Sequence, residues 1–408
     1  MKQLESFAAA IKANDAAVVA RVLEEHPELK ARIDEPNPCG SFGQTALLAA
    51  VQRKNREMVD VLLRAGANIN QKSHWWAGGF HALDDAWDTP WMASFLIGRG
   101  AVLEIHHAVR LGMIEEVRRM LSEDPLLVHA RGGDGQLPLH FAQTAEMAEF
   151  LLNRGADINA RDIDHESTAA QWMVRDRPEV ARALLNRGCA TDILMASALG
   201  DLDVVTRLLD ADPGAIRTTV DETWFPKRDS RAGGSIYIWT LGSNQTAHTI
   251  AHEFGHDRVL QALMDRSPDG MRLTMACELA DEGLCRRLLA ERPDLPATLT
   301  PDDRRRVADA AQANNTIAVR LMVESGWPVD ARGQHRATPL HWAAFNGNAE
   351  MARLLLAHRA PVDIKGDEFD ATPLGWATHG SEHSSHCRTG DYPGTIEALL
   401  AAGARKQA

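Results

Sequence analysis

The run Thr338-Pro339-Leu340-His341-Trp342-Ala343-Ala344, followed by Asn346-Gly347-Asn348, Glu350-Met351-Ala352 and Leu354-Leu355-Leu356, decides how the rest of the chain is read. Thr338 is a strong helix N-cap, and Pro339 suits the first helical position, where a missing N–H leaves no bond unmade. A helix therefore starts at Pro339. Ala343 and Ala344 are small enough to let neighbouring helices approach closely, and Gly347 supplies the positive φ that ends a short helix. Met351, Leu354 and Leu355 fall at helical spacing and predict a second helix after the turn.

Weaker copies of this unit recur on either side of it. They are Gln44-Thr45-Ala46-Leu47 with Leu62-Leu63 and Gly66-Ala67, Leu137-Pro138-Leu139-His140 with Leu151-Leu152 and Gly155-Ala156, and Thr372-Pro373-Leu374-Gly375 with Leu399-Leu400 and Gly403-Ala404. Degenerate copies fill the gaps around Leu23, Leu96, Leu121, Leu184, Leu208, Leu263, Leu288 and Leu321. The Thr-Pro-Leu-His start, the paired small residues, the glycine turn and the Leu-Leu helix together resemble the ankyrin repeat. That resemblance implies an all-α solenoid of about twelve helix-turn-helix units with short β-hairpin fingers, running as one array over residues 1–408.

The period breaks in four places, near residues 34–43, 72–80, 221–243 and 379–393. A solenoid buries its apolar faces only against neighbouring repeats, so extra residues are ejected to the edges. Two of these insertions are rich in aromatic residues in a chain with 5% overall: His74, Trp75, Trp76 and Phe80 beside His81 in one, and Trp224, Phe225, Tyr237 and Trp239 in the other. Such rings either clamp their loops onto the stack or form the walls of a binding site. Ser235-Ile236-Tyr237-Ile238-Trp239-Thr240, after the turn-like Arg231-Ala232-Gly233-Gly234, has the composition of a strand and predicts a hairpin flap.

His252-Glu253-Phe254-Gly255-His256 matches HExxH, the string that sets two zinc ligands one helical turn apart around a glutamate base. Its register within Thr246–His256 makes Gly255 the turn glycine, so the two histidines are expected on successive helices rather than one face. The chain is not read as an HExxH zinc protease. His252 stands where a small residue normally lets helices pack, and is read as a core histidine or a pocket wall.

By register, the resemblance aims Gln52, Arg53, Arg110, Thr144, Glu253, Phe254, Phe345, Asn346 and His379 at the concave side. The last insertion places His379, His383, His386 and Cys387 close to Asp391. No structural zinc spacing fits that loop, so no metal is assigned, although His379, His383 and His386 are the residues that would hold one. Gly380 and the serines predict a flexible polar loop. Asp84-Asp85, beside the first aromatic insertion, is the carboxylate pair best placed for chemistry.

Composition bounds the function. The 408 residues carry a net charge of -12, which argues against a phosphate-tracking groove and hence against a nucleic-acid partner. No signal peptide and no apolar run long enough for a membrane span is visible, and the five scattered cysteines lack CxxC spacing, so a cytoplasmic protein is expected. A monomer is expected as well. No P-loop, GxSxG elbow or dinucleotide glycine pattern is present, and no cofactor is expected. The resemblance implies a scaffold that takes a protein or peptide partner in its concave groove. The alternative is a small-molecule binder or enzyme with a pocket enclosed by the insertions. Its walls would come from Trp75, Trp76, Trp224, Tyr237, Trp239, Glu253 and Phe345, with His379, His383 and His386 at the ligand. Asp84, His81, His379, His383 and Asp391 would be its acid/base candidates.

Overall fold

A computed structural model describes residues 2–38, 40–366, 368 and 370–405. Nearly all of its regular structure is helical. Among the described residues the helices make twelve repeats, eleven of them short antiparallel pairs, with Ile193–Leu199 and Leu202–Ala211 counted as one pair and the third repeat contributing a single helix. Among the described residues the expected fingers are turns, and the single β-bridge links Arg161 to Thr168.

Two compact units are present, one made of Met1–Met195 with Thr219–Ser243, the other of Ala196–Thr218 with Asn244–Ala408. In the second, Pro339–Phe345 packs against Ala349–Ala357, with Gly347 at φ 62 in the turn between them. His341 explains why histidine follows Pro-Leu in this unit. Its Nδ1 accepts from the Thr338 N–H at 3.2 Å, and its Nε2 lies 3.2 Å from the Ala371 carbonyl, tying one repeat to the next. His140 repeats the device in the first unit, with Leu137 N at 3.3 Å and the Ser167 carbonyl at 3.1 Å. Burial pushes both imidazoles down to about 4, so each is neutral and each keeps one donor and one acceptor.

The core of each unit is the sum of these pairwise burials. Leu47, Leu48, Val59, Leu62, Met92 and Leu96 serve the first unit; Val319, Met322, Leu340, Met351, Leu355 and Leu399 serve the second. The described cysteines, Cys189, Cys277, Cys285 and Cys387, are free thiols, and Cys39 lies outside the described residues.

Two expectations are corrected here. Residues 235–240 are not a strand: Tyr237–Thr240 is a single helical turn that carries the fully buried Tyr237, whose hydroxyl donates to Asp192 at 2.9 Å. The β-propensity of that stretch expresses itself only against a partner strand, and none is offered; docking Tyr237 in the core decides the conformation instead. Nor is the start of the 379–391 segment a loop, although residues 384–390 are turns. The helix Pro373–His383 runs through it, because Gly380 is buried against the Phe345 carbonyl and its missing side chain lets the helix pass.

Candidate functional site

Two repeats of the first unit lack the end of their inner helix. From the N-cap Thr338 to Ala349, where the second helix begins, the complete repeat takes eleven positions; from Leu137 to Ala145 the chain takes eight. The three missing residues are the last helical positions and the glycine turn. Pro138–Phe141 therefore makes only a 3-10 turn, Ala142 leaves the helix at ψ 123, and Thr144 caps the next helix by accepting from Met147 N at 3.2 Å. The third repeat is shortened in the same manner, with turns over 82–88 before Thr89 and Pro90 open its second helix.

A truncated helix leaves carbonyls without their intrahelical donors. Arg177 answers this: its Nη1 donates to the His140 carbonyl at 3.2 Å and the Ala142 carbonyl at 2.8 Å. Between the two shortened repeats the inner helix Ile105–Arg110 is intact, and Arg110 at its end lies between aromatic rings from both neighbours. Its guanidinium is 4.8 Å from the Trp87 ring centre and 5.5 Å from that of Phe141. The space that the missing turns would fill is a cavity of about 390 Å³, walled by Trp87, Phe141, Trp172 and Trp239 and holding Arg110, Arg177, Asp176, Gln136 and Gln143. Trp239 projects from the insertion with 72% of its surface exposed.

The charges in this cavity are unusual. Burial lowers the pKa of Arg110, while Asp84, Asp85 and Asp88 work the other way. Arg177 is pushed down to about 10, first by burial and then by the nearby positive charge of Arg110. Neither guanidinium is ion-paired among the described residues. Two desolvated like charges side by side are stabilised by an incoming anion, and planar walls favour a ring or amide plane beside it.

Behind Arg110 stands a buried acid–histidine network. Asp84 accepts from the His81 backbone N–H at 2.6 Å and lies 3.4 Å from His107 Nε2. Burial opposes its ionisation, but the His107 and His81 contacts more than offset that and hold it low. Asp85 goes up to about 6, through burial and then the charge on Asp84. His81 Nε2 lies 3.1 Å from Glu104, and that contact is the main reason Glu104 falls to about 2.

The comparisons with known proteins bear on the repeats themselves. Residues 273–366 and 307–405 match a family described as ankyrin repeats (3 copies), and residues 42–74 and 134–163 match the single ankyrin repeat. The chain is an ankyrin-repeat protein. It is 35% identical over 143 residues to the palmitoyltransferase Hip14 of Drosophila melanogaster, a match covering 32% of this chain and 21% of that protein. It is 24% identical over 346 residues to the E3 ubiquitin-protein ligase KEG of Arabidopsis thaliana, covering 80% of this chain and 17% of the relative. A third relative, ankyrin repeat and SAM domain-containing protein 6 of Rattus norvegicus, is 30% identical over 118 residues, 28% of this chain and 13% of its own length. The chain thus spans about a fifth or less of these curated relatives.

The residues singled out in this ankyrin-repeat sequence fall in two groups. In the first unit, Trp239 lines the arginine cavity, and Trp224 lines a second cavity of about 430 Å³ with Glu166, Asp192 and Lys227. Trp75 packs edge-on against Phe42 with centroids 4.8 Å apart, and Trp76 lies under Arg231 at 4.3 Å, so this pair clamps insertions together. Tyr237 is core, and Asp84 and His81 are buried.

In the second unit, Glu253 and His252 are exposed at the end of Ala247–Glu253, which overturns the core reading of His252. Gly255 has φ 74, and His256 caps the following helix with Nε2 3.0 Å from the Ala198 carbonyl, so the HExxH histidines share no helix. His379 and His383 are stacked one turn apart, centroids 4.2 Å, and His379 also stacks on Phe345 at 6.2 Å. His386 lies beyond the helix in the turn, and Asp391 caps Tyr392–Ala401 by accepting from Gly394 N at 2.9 Å.

Of the cavity's residues the reading by register includes Arg110 and, as an insertion aromatic, Trp239. Trp87, Phe141, Trp172 and Arg177 escaped it. The signal was nonetheless present as the eight-residue spacing of the Leu137 repeat. No helix of the described residues is long and apolar enough to cross a membrane.

Proposed function

We propose that this ankyrin-repeat protein is a cytoplasmic, monomeric binding scaffold that takes a protein or peptide partner in the groove of its first unit. The partner segment places an acidic group on Arg110 and Arg177 and an apolar or aromatic side chain among Trp87, Trp172 and Trp239. The observation that supports this is the pair of desolvated arginines, without ion-pair partners among the described residues, set in an aromatic-walled cavity. An exposed Trp at the rim suits a macromolecular partner, since Trp and Arg are the residue types that dominate interface hot spots. The family supports a protein-interaction role in general and names no partner.

A second reading is favoured by the size of the same cavity. A volume of about 390 Å³ is within the range that holds a small molecule, and an aromatic carboxylate or phosphate matches its walls and charges. One experiment separates the readings. A displayed peptide library is selected on the full chain, and in parallel a set of aromatic carboxylates and phosphates is screened by thermal shift. Enrichment of peptides joining an acidic to an aromatic residue, with affinity falling at least about tenfold in Arg110→Gln and in Trp239→Ala, supports the scaffold. Stabilisation by a small anion alone favours the second reading. Selected peptides that bind both variants as well as the parent would refute the scaffold reading, and no stabilisation by any of the anions would refute the second.

A further inference from the structure

A second cluster joins two segments of the first unit, at Asp134 and at Asp164-His165, and its His165 ring packs edge-on at 5.1 Å against Trp172, a wall of the arginine cavity. Asp134, Asp164 and His165 each direct a ligand atom to one spot, with those atoms within 4.8 Å of one another; it is the one such trio of His, Cys, Asp or Glu groups among the described residues. Each is positioned by backbone from elsewhere. Asp134 sits in a turn at φ 55, its N–H donates to the Gly78 carbonyl of the first insertion at 3.2 Å, and its own carbonyl accepts from Ile163 N and Asp164 N. Gly233 of the 221–243 insertion packs over the cluster, where a Cβ would come within 3.0 Å of the His165 ring.

The hydrogen bonds around His165 fix its chemistry. Nδ1 lies 3.0 Å from the Gly234 carbonyl, a pure acceptor, so the proton is on Nδ1 and the neutral ring presents the Nε2 lone pair. That lone pair faces Asp164 Oδ2 at 3.6 Å. The Asp164 side chain is only 6% exposed, its Oδ1 takes a single long bond of 3.3 Å from Gly233 N, and Oδ2 receives no hydrogen bond among the described residues. With a second carboxylate alongside, this facing pair is satisfied either by a proton on Nε2 or by a metal cation held between the groups. An imidazole whose other nitrogen donates to a backbone carbonyl is also how metal-binding histidines are oriented. Asp162 is not part of the set, because its carboxylate already accepts from His165 N and Ser167 N.

We propose that Asp134, Asp164 and His165 form a binding site for a divalent first-row transition cation, Zn²⁺ or Mn²⁺, that fastens the 72–80 and 221–243 insertions to the repeat between them. One imidazole and two carboxylates suit these ions, whereas Mg²⁺ and Ca²⁺ favour all-oxygen shells. The role is structural.

The test uses the full chain stripped with EDTA and titrated at pH 7.5 with ZnCl₂ and with MnCl₂, reading heat of binding and thermal midpoint. One equivalent binds, and the midpoint rises by about 5 °C at saturating metal. His165→Ala and Asp164→Asn each lose that equivalent, and the metal-free midpoint of each variant reports whether it is folded. The double variant His379→Ala with His383→Ala keeps the site, since that exposed stacked pair is where Zn²⁺ would attach adventitiously. MgCl₂ or CaCl₂ at the same concentration neither shifts the midpoint nor displaces Zn²⁺. A parent chain that takes up neither Zn²⁺ nor Mn²⁺ would overturn the proposal. So would uptake that survives Asp164→Asn and disappears with His379 and His383.

Discussion

The Thr338 and Leu137 repeats begin almost alike and end in opposite ways. Both place a proline at the first helical position and a neutral buried histidine that bridges to the next repeat, His341 in one and His140 in the other. Three residues separate their outcomes. The Thr338 repeat completes its helix, turns on Gly347 and packs Ala343 and Ala344 fully out of solvent. The Leu137 repeat stops after one turn, hands its carbonyls to Arg177 and leaves a hole that tryptophans line. What makes a repeat stable and what makes it useful are thus separable: the shared histidine device holds the stack, and the omitted helical turn makes the site.

The largest effect comes from erasing that difference. Inserting three residues between Ala142 and Gln143, to restore the helical turn and its glycine, fills the cavity. Affinity for peptides selected on the parent is expected to fall at least about a hundredfold, or about 3 kcal/mol, without a lower thermal midpoint. Full affinity in the insertion variant would break the link between the missing turn and the site.

Acid distinguishes the two units next. His248 and His341, in the second unit, are buried and pushed down to about 4 from an ordinary 6.5. The folded value lies below the unfolded one, so the unfolded chain takes the extra proton: the stability is present above about pH 6.5 and is lost as pH falls toward 4. Between pH 7 and 5 each histidine costs roughly 2 kcal/mol. In the first unit, burial depresses His106 and His140 in the same sense, but Asp85, at about 6, and Asp192 are raised by burial. A raised carboxyl has the opposite sign, gaining stability as pH falls from its folded value toward 3.8, and offsets the loss. Hydrogen exchange at pH 7 and, after correction for intrinsic rates, at pH 5 should show protection falling further in Ala349–Ala357 than in Pro178–Asn186. Equal losses would contradict this.

Glycine substitutions give the smaller effects. Gly347→Ala meets both a φ of 62 and the Tyr392 ring, which a new Cβ would approach to 2.9 Å, so a loss of about 2 kcal/mol in urea unfolding is expected. At Gly255 the φ is 74 but nothing lies within 4 Å of a Cβ, and alanine there should cost only about 1 kcal/mol. If the two cost the same, the crowding by Tyr392 contributes nothing.

Much of the fold was legible from local chemistry. Thr338-Pro339, the paired alanines and Gly347 act within a few residues of themselves, so cap, helix and turn follow from the order of the letters. The same locality put Gly255 between the HExxH histidines and separated them. Ser235–Thr240 misled because its composition speaks of a strand while the burial of Tyr237 against Asp192, forty-five positions away, imposes a helical turn. The start of the 379–391 segment, residues 379–383, misled similarly, since only contact with Phe345 makes Gly380 an asset to a helix.

By itself, then, the sequence determined the repeat, its short helices, its turns and the places where its period fails. Tertiary structure alone decided what those failures build: that a missing turn near Ala142 brings Arg110, Arg177 and four aromatic rings around one cavity, and that Asp134, Asp164 and His165 meet. The division follows from range. Caps and turns are hydrogen bonds between near neighbours in the chain, whereas a cavity or an ion site is a meeting of side chains that only the stacking of repeats brings into contact.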